Sequence, residues 1–273
     1  MKKYAILLVL ILVSVPVINA QSRSTPADTA VITKHSTTIR GTKMTYTATT
    51  GTLPVWIEDK AVATLYYTYY TRDIAGNRDD RPLIISFNGG PGAASVWMHM
   101  AYTGPMIVKI DDEGYPVQPY GVRENPYSIL DVADIVFVNP VNTGYSRMIA
   151  DEKGELPDPD LFFGINADIQ YLAAWISDFV SRNNRWLSPK YIIGESYGGT
   201  RVSGLAHELQ NSQWMYLNGV IMVSPADYLV FSSDVPISSG INMPYYTATA
   251  WYHNMLPEEL QNKDLLEILP ESE

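Results

Sequence analysis

Four short apolar runs, each stopped by turn residues, constrain this chain more than anything else in it. Leu83–Phe87 ends in Asn88-Gly89-Gly90-Pro91-Gly92, Asp134–Val138 in Asn139-Pro140, residues 191–193 in Gly194, and Gly219–Val223 in Ser224-Pro225. Runs of this length without polar alternation belong to strands buried on both faces, and such strands pair in a mostly parallel sheet. Parallel neighbours need crossovers. Between the second and third runs, Ile165, Ile169, Leu172, Ala173, Ile176, Phe179 and Val180 recur at helical spacing over residues 164–182. Asn166 or Asp168 is placed to cap the start of that helix. Upstream, residues 31–57 are rich in threonine and β-branched side chains, with Gly41 and Gly51-Thr52 as turn signals, and read as an antiparallel meander. Residues 63–70 continue it with Leu65, Tyr67 and Tyr69 on one face, and residues 72–81 form a charged turn. The expected architecture is one α/β domain behind a β-rich lead-in.

Composition removes several function classes. With 46% hydrophobic and 18% charged residues, the 273-residue chain can bury a sizeable core. A formal net charge of −10 argues against nucleic acid or an anionic membrane as the main partner. The absence of cysteine excludes disulfides, thiolate zinc sites, iron–sulfur clusters and thiol nucleophiles. No His, Asp or Glu pair has ligand spacing, so neither a metal nor a cofactor is expected. Residues 1–20 read as a secretory signal peptide: Lys2 and Lys3 precede an apolar run over residues 5–17, and Ala20 offers a small residue before the cut. The run is shorter than the roughly 20 residues of a membrane span. Cleavage after Ala20 leaves 253 residues of net charge −12, expected in the periplasm or outside the cell and free of the membrane. Residues 21–30 read as a flexible leader.

Gly194-Glu195-Ser196-Tyr197-Gly198 fits G-x-S-x-G. Taken alone the pattern is weak, but it follows a strand and opens a helix-like stretch over residues 199–209, which is the setting of a nucleophile elbow. A tight turn there presents Ser196 Oγ at the strand's end, with the Tyr197 N–H aimed where an oxyanion forms. The glycine-rich segment 88–92 ends an earlier strand and can supply the second donor, because glycine lets backbone approach a reacting carbonyl closely. A phosphate-binding loop is the poorer reading of this segment, since its spacing is wrong for a P-loop and no Lys-Ser/Thr follows.

At these residues the sequence resembles the serine carboxypeptidases, peptidase family S10 of the α/β-hydrolase fold. PLIISFNGGPGAAS (82–95), VNPVNTGYSR (138–147) and YIIGESYGG (191–199) are similar to the family's three ordered motifs, and the likeness spans residues 42–225. The lead-in RGTKMTYTATTGTLPVW is most like exported bacterial members. The resemblance implies a mixed, mostly parallel sheet with helices on both faces. It implies Ser196 as nucleophile, Gly90 and Tyr197 as oxyanion-hole donors, and Asn88, Gly89 and Glu195 as binders of a peptide's free C-terminal carboxylate. Where the family pairs that Glu with a second one before Gly-Pro, this chain has Tyr102 in Ala101-Tyr102-Thr103-Gly104-Pro105. A phenol donates to a carboxylate without needing acid, so carboxylate recognition through Asn88, Glu195 and Tyr102 is expected with a less acid-restricted optimum. Ala93 stands where many relatives have Cys, and Asn142 where Gly is usual, with an expected narrowing of the adjoining pocket.

In this fold the order is Ser, then Asp or Glu, then His. His207 lies eleven residues beyond Ser196 on one helix, about 16 Å away at 1.5 Å per residue, and cannot be the general base. His35 reads as solvated. His99 reads as a packing residue, with substrate contact as its alternative. Asp227 and His253 are the only in-chain pair in the right order. Residues 31–231 are therefore expected to form the first part of the hydrolase core, with residues 232–273 as the start of a cap and the triad incomplete. The expected function is an exported serine carboxypeptidase acting on C-terminal residues, with an esterase or acyltransferase, or a non-catalytic peptide-binding domain, as alternatives.

Overall fold

The computed structural model describes residues 27–226 and 237–272; the expected signal peptide, most of the expected leader and Asp227 lie outside the described residues. The lead-in is a meander. β1 (Thr29–Ile39) and β2 (Thr42–Ile57) form a hairpin, and β3 (Lys60–Arg72) pairs antiparallel with β2. Strand pairing is present from Thr29, so β1 includes the last residues of the expected leader. Gly51 permits this, because a Cβ there would lie 2.1 Å from the Thr29 carbonyl oxygen. β4 (Leu83–Phe87) follows the charged turn and is buried along its whole length. A small two-stranded arm, β5 (Met106–Val108) and β6 (Val122–Glu124), separates it from β7 (Asp134–Val138). β8 (Arg147–Met148) is a short addition beside β3.

The crossover helix α1 (Ile165–Arg182) falls where the apolar spacing puts it. Its cap differs from expectation. Gly164 is the N-cap and makes no side-chain bond, Asn166 points to solvent, and Asp168 turns into the core. β9 (Lys190–Glu195), α2 (Tyr197–Ser212) and β10 (Gly219–Val223) complete the sheet, in the order β1-β2-β3-β7-β4-β9-β10. β7, β4, β9 and β10 run parallel, so the sheet is mixed, as in an α/β-hydrolase. α1 and α2 cover one face through Leu172, Trp175, Ile176, Phe179, Val202 and Leu205, and the Trp175 indole donates to the Leu53 carbonyl at 3.1 Å. On the other face Met98, from the turn Met98–Thr103, packs on Ile84, Ile135, Phe137 and Ile193. From Ile237 the described chain is helical: α3 (Ile237–Tyr252), α4 (Glu258–Gln261) and α5 (Leu265–Ile268). Among the described residues no helix is long and apolar enough to cross a membrane.

Two edges of the parallel block differ in character. At the strand starts, Asp134 is fully buried and receives Arg78 at 3.0 Å, Arg81 at 2.7 Å and Arg185 at 2.7 Å. The Arg185 guanidinium also bonds the Tyr69 hydroxyl and the Arg81 carbonyl, which ties β3, β4, β7 and the entrance to β9 together. The charged turn is thus partly an internal clamp. β10 is the last strand of the order, and its Val220, Ile221 and Met222 are all exposed.

Candidate active site

The site forms where β4, β7 and β9 end. In the parallel register Phe87 lies opposite Gly194, so the residues that follow, Asn88 and Glu195, emerge side by side. Asn88 Nδ2 donates to Glu195 Oε2 at 2.9 Å, and Asn88 Oδ1 accepts the Met98 N–H at 2.9 Å. These bonds fix the orientation of the Asn88 amide beside a partly buried carboxylate.

Ser196 sits between β9 and α2 with φ +59° and ψ −125°. A non-glycine residue is held in such a region only when its surroundings over-determine it. Here its N–H donates to the Val223 carbonyl at 3.0 Å, and its carbonyl accepts from Gly199 at 2.8 Å and Ala226 at 3.0 Å. The flanking glycines are required by space. A Cβ on Gly194 would sit 2.0 Å from the Gly198 carbonyl oxygen, and one on Gly199 would sit 2.6 Å from Pro225 Cβ. The strand–turn–helix geometry read from the motif is therefore present, and α2 begins directly at Tyr197.

The glycine loop lies against this turn. A Cβ on Gly89 would come within 2.5 Å of the Tyr197 nitrogen and 3.0 Å of the Gly198 nitrogen. Ala93 N–H donates to the Gly89 carbonyl at 3.2 Å. In a planar trans peptide the C=O and the next N–H point opposite ways, so this bond sets the direction of the Gly90 N–H. Gly90 itself has φ +110°. The glycine loop is thus packed, through Gly89, against the backbone of the first residues of α2 beside the Ser196 turn.

Tyr102 stands apart. It lies on the turn Met98–Thr103 with half its surface in solvent, and its carbonyl accepts from Asn125 at 3.0 Å. No hydrogen bond joins its hydroxyl to Glu195. Asn142 has φ +60°, which explains why glycine suits that position and asparagine is tolerated. Its side chain is exposed and does not wall the pocket, contrary to the expected narrowing.

The histidines are elsewhere. His35 stacks on Tyr46, His207 bonds Asn211 at 3.0 Å, and His253, exposed after α3, packs its ring on Tyr252. None hydrogen-bonds Ser196. His99 is a packing residue, stacked on Phe137 at 4.5 Å with Nε2 bonded to the Tyr70 hydroxyl at 2.7 Å. Burial pushes its pKa down to about 4 from the usual 6.5. Between those values the unfolded chain binds a proton that the folded chain refuses, so stability falls as pH drops through that window. At about 1.4 kcal/mol per pH unit, the loss reaches at most about 3 kcal/mol. Urea midpoints at pH 7 and pH 4.5 measure it, and His99→Phe is expected to flatten the dependence. An unchanged slope in that variant would remove His99 as the cause.

Sequence reading missed the polar group beneath the site. Arg201, 2% exposed, bonds Asp168 Oδ2 through Nε at 2.7 Å and the Asn88 carbonyl through Nη1 at 2.7 Å. Asp168 Oδ1 accepts the Tyr171 hydroxyl at 3.3 Å, and the Tyr171 oxygen accepts the Val141 N–H at 3.1 Å. A signal was available: Asp168 lies four and seven residues before Leu172 and Trp175, inside the apolar stripe, and a charge there needs a buried partner. A cavity of about 430 Å³ opens beside Tyr197, walled by Pro91, Gly92, Val141, Phe162, Ile165 and the Asp168–Arg201 pair. Among the described residues no group of His, Cys, Asp and Glu is arranged to hold a metal.

Comparison with known proteins places these features in context. A family model described as serine carboxypeptidase matches residues 41–264. Serine carboxypeptidase-like 8 of Arabidopsis thaliana is 26% identical over 198 residues, which cover 68% of this chain and 42% of that protein. Vitellogenic carboxypeptidase of Aedes aegypti is 27% identical over 158 residues, covering 58% of this chain and 30% of that protein. The chain thus spans well under half the length of these curated relatives. Among solved structures, the prohormone-processing carboxypeptidase Kex1(delta)p of Saccharomyces cerevisiae aligns with a TM-score of 0.48 at 18% identity, over 84% of this chain and 53% of that one.

Proposed function

This chain belongs to the serine carboxypeptidase family, and from that premise we propose that it is the nucleophile-bearing part of an exported enzyme that removes C-terminal residues from peptides. Ser196 Oγ gives up its proton and attacks the scissile carbonyl; the C–N bond breaks, the C-terminal amino acid leaves carrying that proton on its nitrogen, and water then hydrolyses the acyl-enzyme, restoring the serine and releasing the shortened peptide. The Gly90 and Tyr197 N–H groups take the developing negative charge. Asn88, Gly89 and Glu195 receive the substrate's free carboxylate; Tyr102, half in solvent and not bonded to Glu195, would join them only by turning toward a bound substrate. The reading rests above all on the 2.9 Å bond between Asn88 and Glu195 beside the Ser196 turn. An esterase needs the turn and the two N–H donors, but not an amide-held carboxyl group next to them. A general base and its orienting acid are required as well; groups elsewhere in the polypeptide are their proposed source, with Asp227 and His253 as the in-chain alternative. Export rests on Lys2, Lys3, the apolar run and Ala20.

The test uses the full-length gene product and two N-blocked dipeptides that differ only at the C-terminus, free acid against amide. The free acid is expected to be cleaved about 100-fold faster in kcat/KM, because the amide leaves the carboxylate-binding groups unpaired. Equal rates, or activity confined to simple esters, would favour the esterase or acyltransferase. A fluorophosphonate that fails to label Ser196 would leave a non-catalytic binding domain.

A further inference from the structure

We propose that Arg201 is a positioning residue: through the Asn88 carbonyl and the Tyr197 ring it holds the two backbone segments that carry the oxyanion donors in mutual register. The inference rests on the reading of Ser196 as nucleophile and deepens it.

A cation 2% exposed needs its charge matched and its donors used. Asp168 answers the charge through Nε at 2.7 Å, but Nη1 is spent on a backbone oxygen, that of Asn88, at 2.7 Å. The guanidinium also lies 5.1 Å from the ring centre of Tyr197 and 5.6 Å from that of Phe87. One planar group thus touches the end of β4, the loop after it and the first residue of α2. The loop needs such a clamp. Gly89 and Gly90 have no side chains to anchor them and tolerate a wide range of backbone angles. Holding the Asn88 carbonyl fixes the Asn88–Gly89 peptide plane, and the Ala93 bond at 3.2 Å fixes the next one. Without Arg201 the first plane loses its carbonyl partner, and the Gly90 N–H can swing away from the Ser196 turn. Asp168 is itself steadied by the Tyr171 hydroxyl at 3.3 Å, so the clamp is preorganised from α1.

In the full-length gene product, Arg201→Lys and Arg201→Ala are compared with wild type and with Ser196→Ala on a free-acid peptide. Lysine keeps the charge opposite Asp168 but cannot reach both partners in the arginine geometry. It is expected to lower kcat at least tenfold with KM within about threefold, because oxyanion stabilisation acts on the transition state. Alanine is expected to lower kcat about 100-fold, near the effect of losing one oxyanion donor. Millimolar guanidinium, admitted through the adjoining cavity, is expected to restore part of that loss. Full kcat in the lysine variant overturns the proposal even where the alanine variant fails to fold. Lower melting temperatures without a change in kcat overturn it too, since a structural role alone would produce them. Activity retained in Ser196→Ala would overturn the underlying reading instead.

Discussion

Replacing Ser196 by glycine is expected to abolish peptide hydrolysis while making the protein more stable. The loss in kcat should be on the order of 10⁴- to 10⁶-fold, because the acyl-enzyme has nothing to form on. The gain follows from the backbone. At φ +59° and ψ −125° a residue with a Cβ is strained, at a cost of about 1–3 kcal/mol. Glycine relieves that strain and gives back about 0.5–1 kcal/mol through the greater freedom of its unfolded chain. A net gain of about 1 kcal/mol remains. Ser196→Ala is the necessary companion: equally inactive, but without the relief, because its Cβ stays. Urea midpoints separate the two. A glycine variant no more stable than the alanine variant would mean that the turn stores no strain.

The second large effect is expected far from the chemistry. Asp134→Asn removes one negative charge from among Arg78, Arg81 and Arg185 at nearly constant shape. Breaking a buried ion pair from one side costs about 3–5 kcal/mol, since the remaining charges stay desolvated and uncompensated. Against a typical total of about 5–15 kcal/mol, that is a large share of the stability, and at the low end of the range enough to unfold much of the protein. Asp131→Asn is a useful control, because its partner Arg40 is largely in solvent, where an ion pair contributes about 0–1 kcal/mol. Similar urea midpoints for the two variants would show that the arginines find other acceptors.

What could be read in advance followed from local patterns. Leu83–Phe87 and Asp134–Val138 announced themselves because a buried strand is apolar throughout and stops at residues that cannot continue it; Gly219–Val223 has the same pattern and is a strand, but among the described residues its Val220, Ile221 and Met222 are exposed rather than buried on both faces. The Ser196 turn was legible because its tightness demands glycine on either side. Long-range polar pairing was not. Arg185 stands in Arg-Asn-Asn-Arg-Trp, which looks like a solvated loop, yet it is 1% exposed and meets Asp134 fifty-one residues away. Asp168 looked like a helix cap because caps are local, whereas its true partner lies thirty-three residues on. Gly164, at φ +106°, brings the chain into α1 without a side-chain acceptor, so the position that would have accommodated a cap is occupied by a turn. Tyr102 was placed by analogy with a carboxyl group, and a longer, rigid side chain reaches solvent where a shorter one could face inward.

Among the described residues no strand pairs with the outer side of β10. A parallel strand offering Val220, Ile221 and Met222 to solvent, with its backbone donors and acceptors in a row, is a template on which any extended segment can grow. Ile221→Lys is the smallest change that would charge that margin without touching the Ser196 turn.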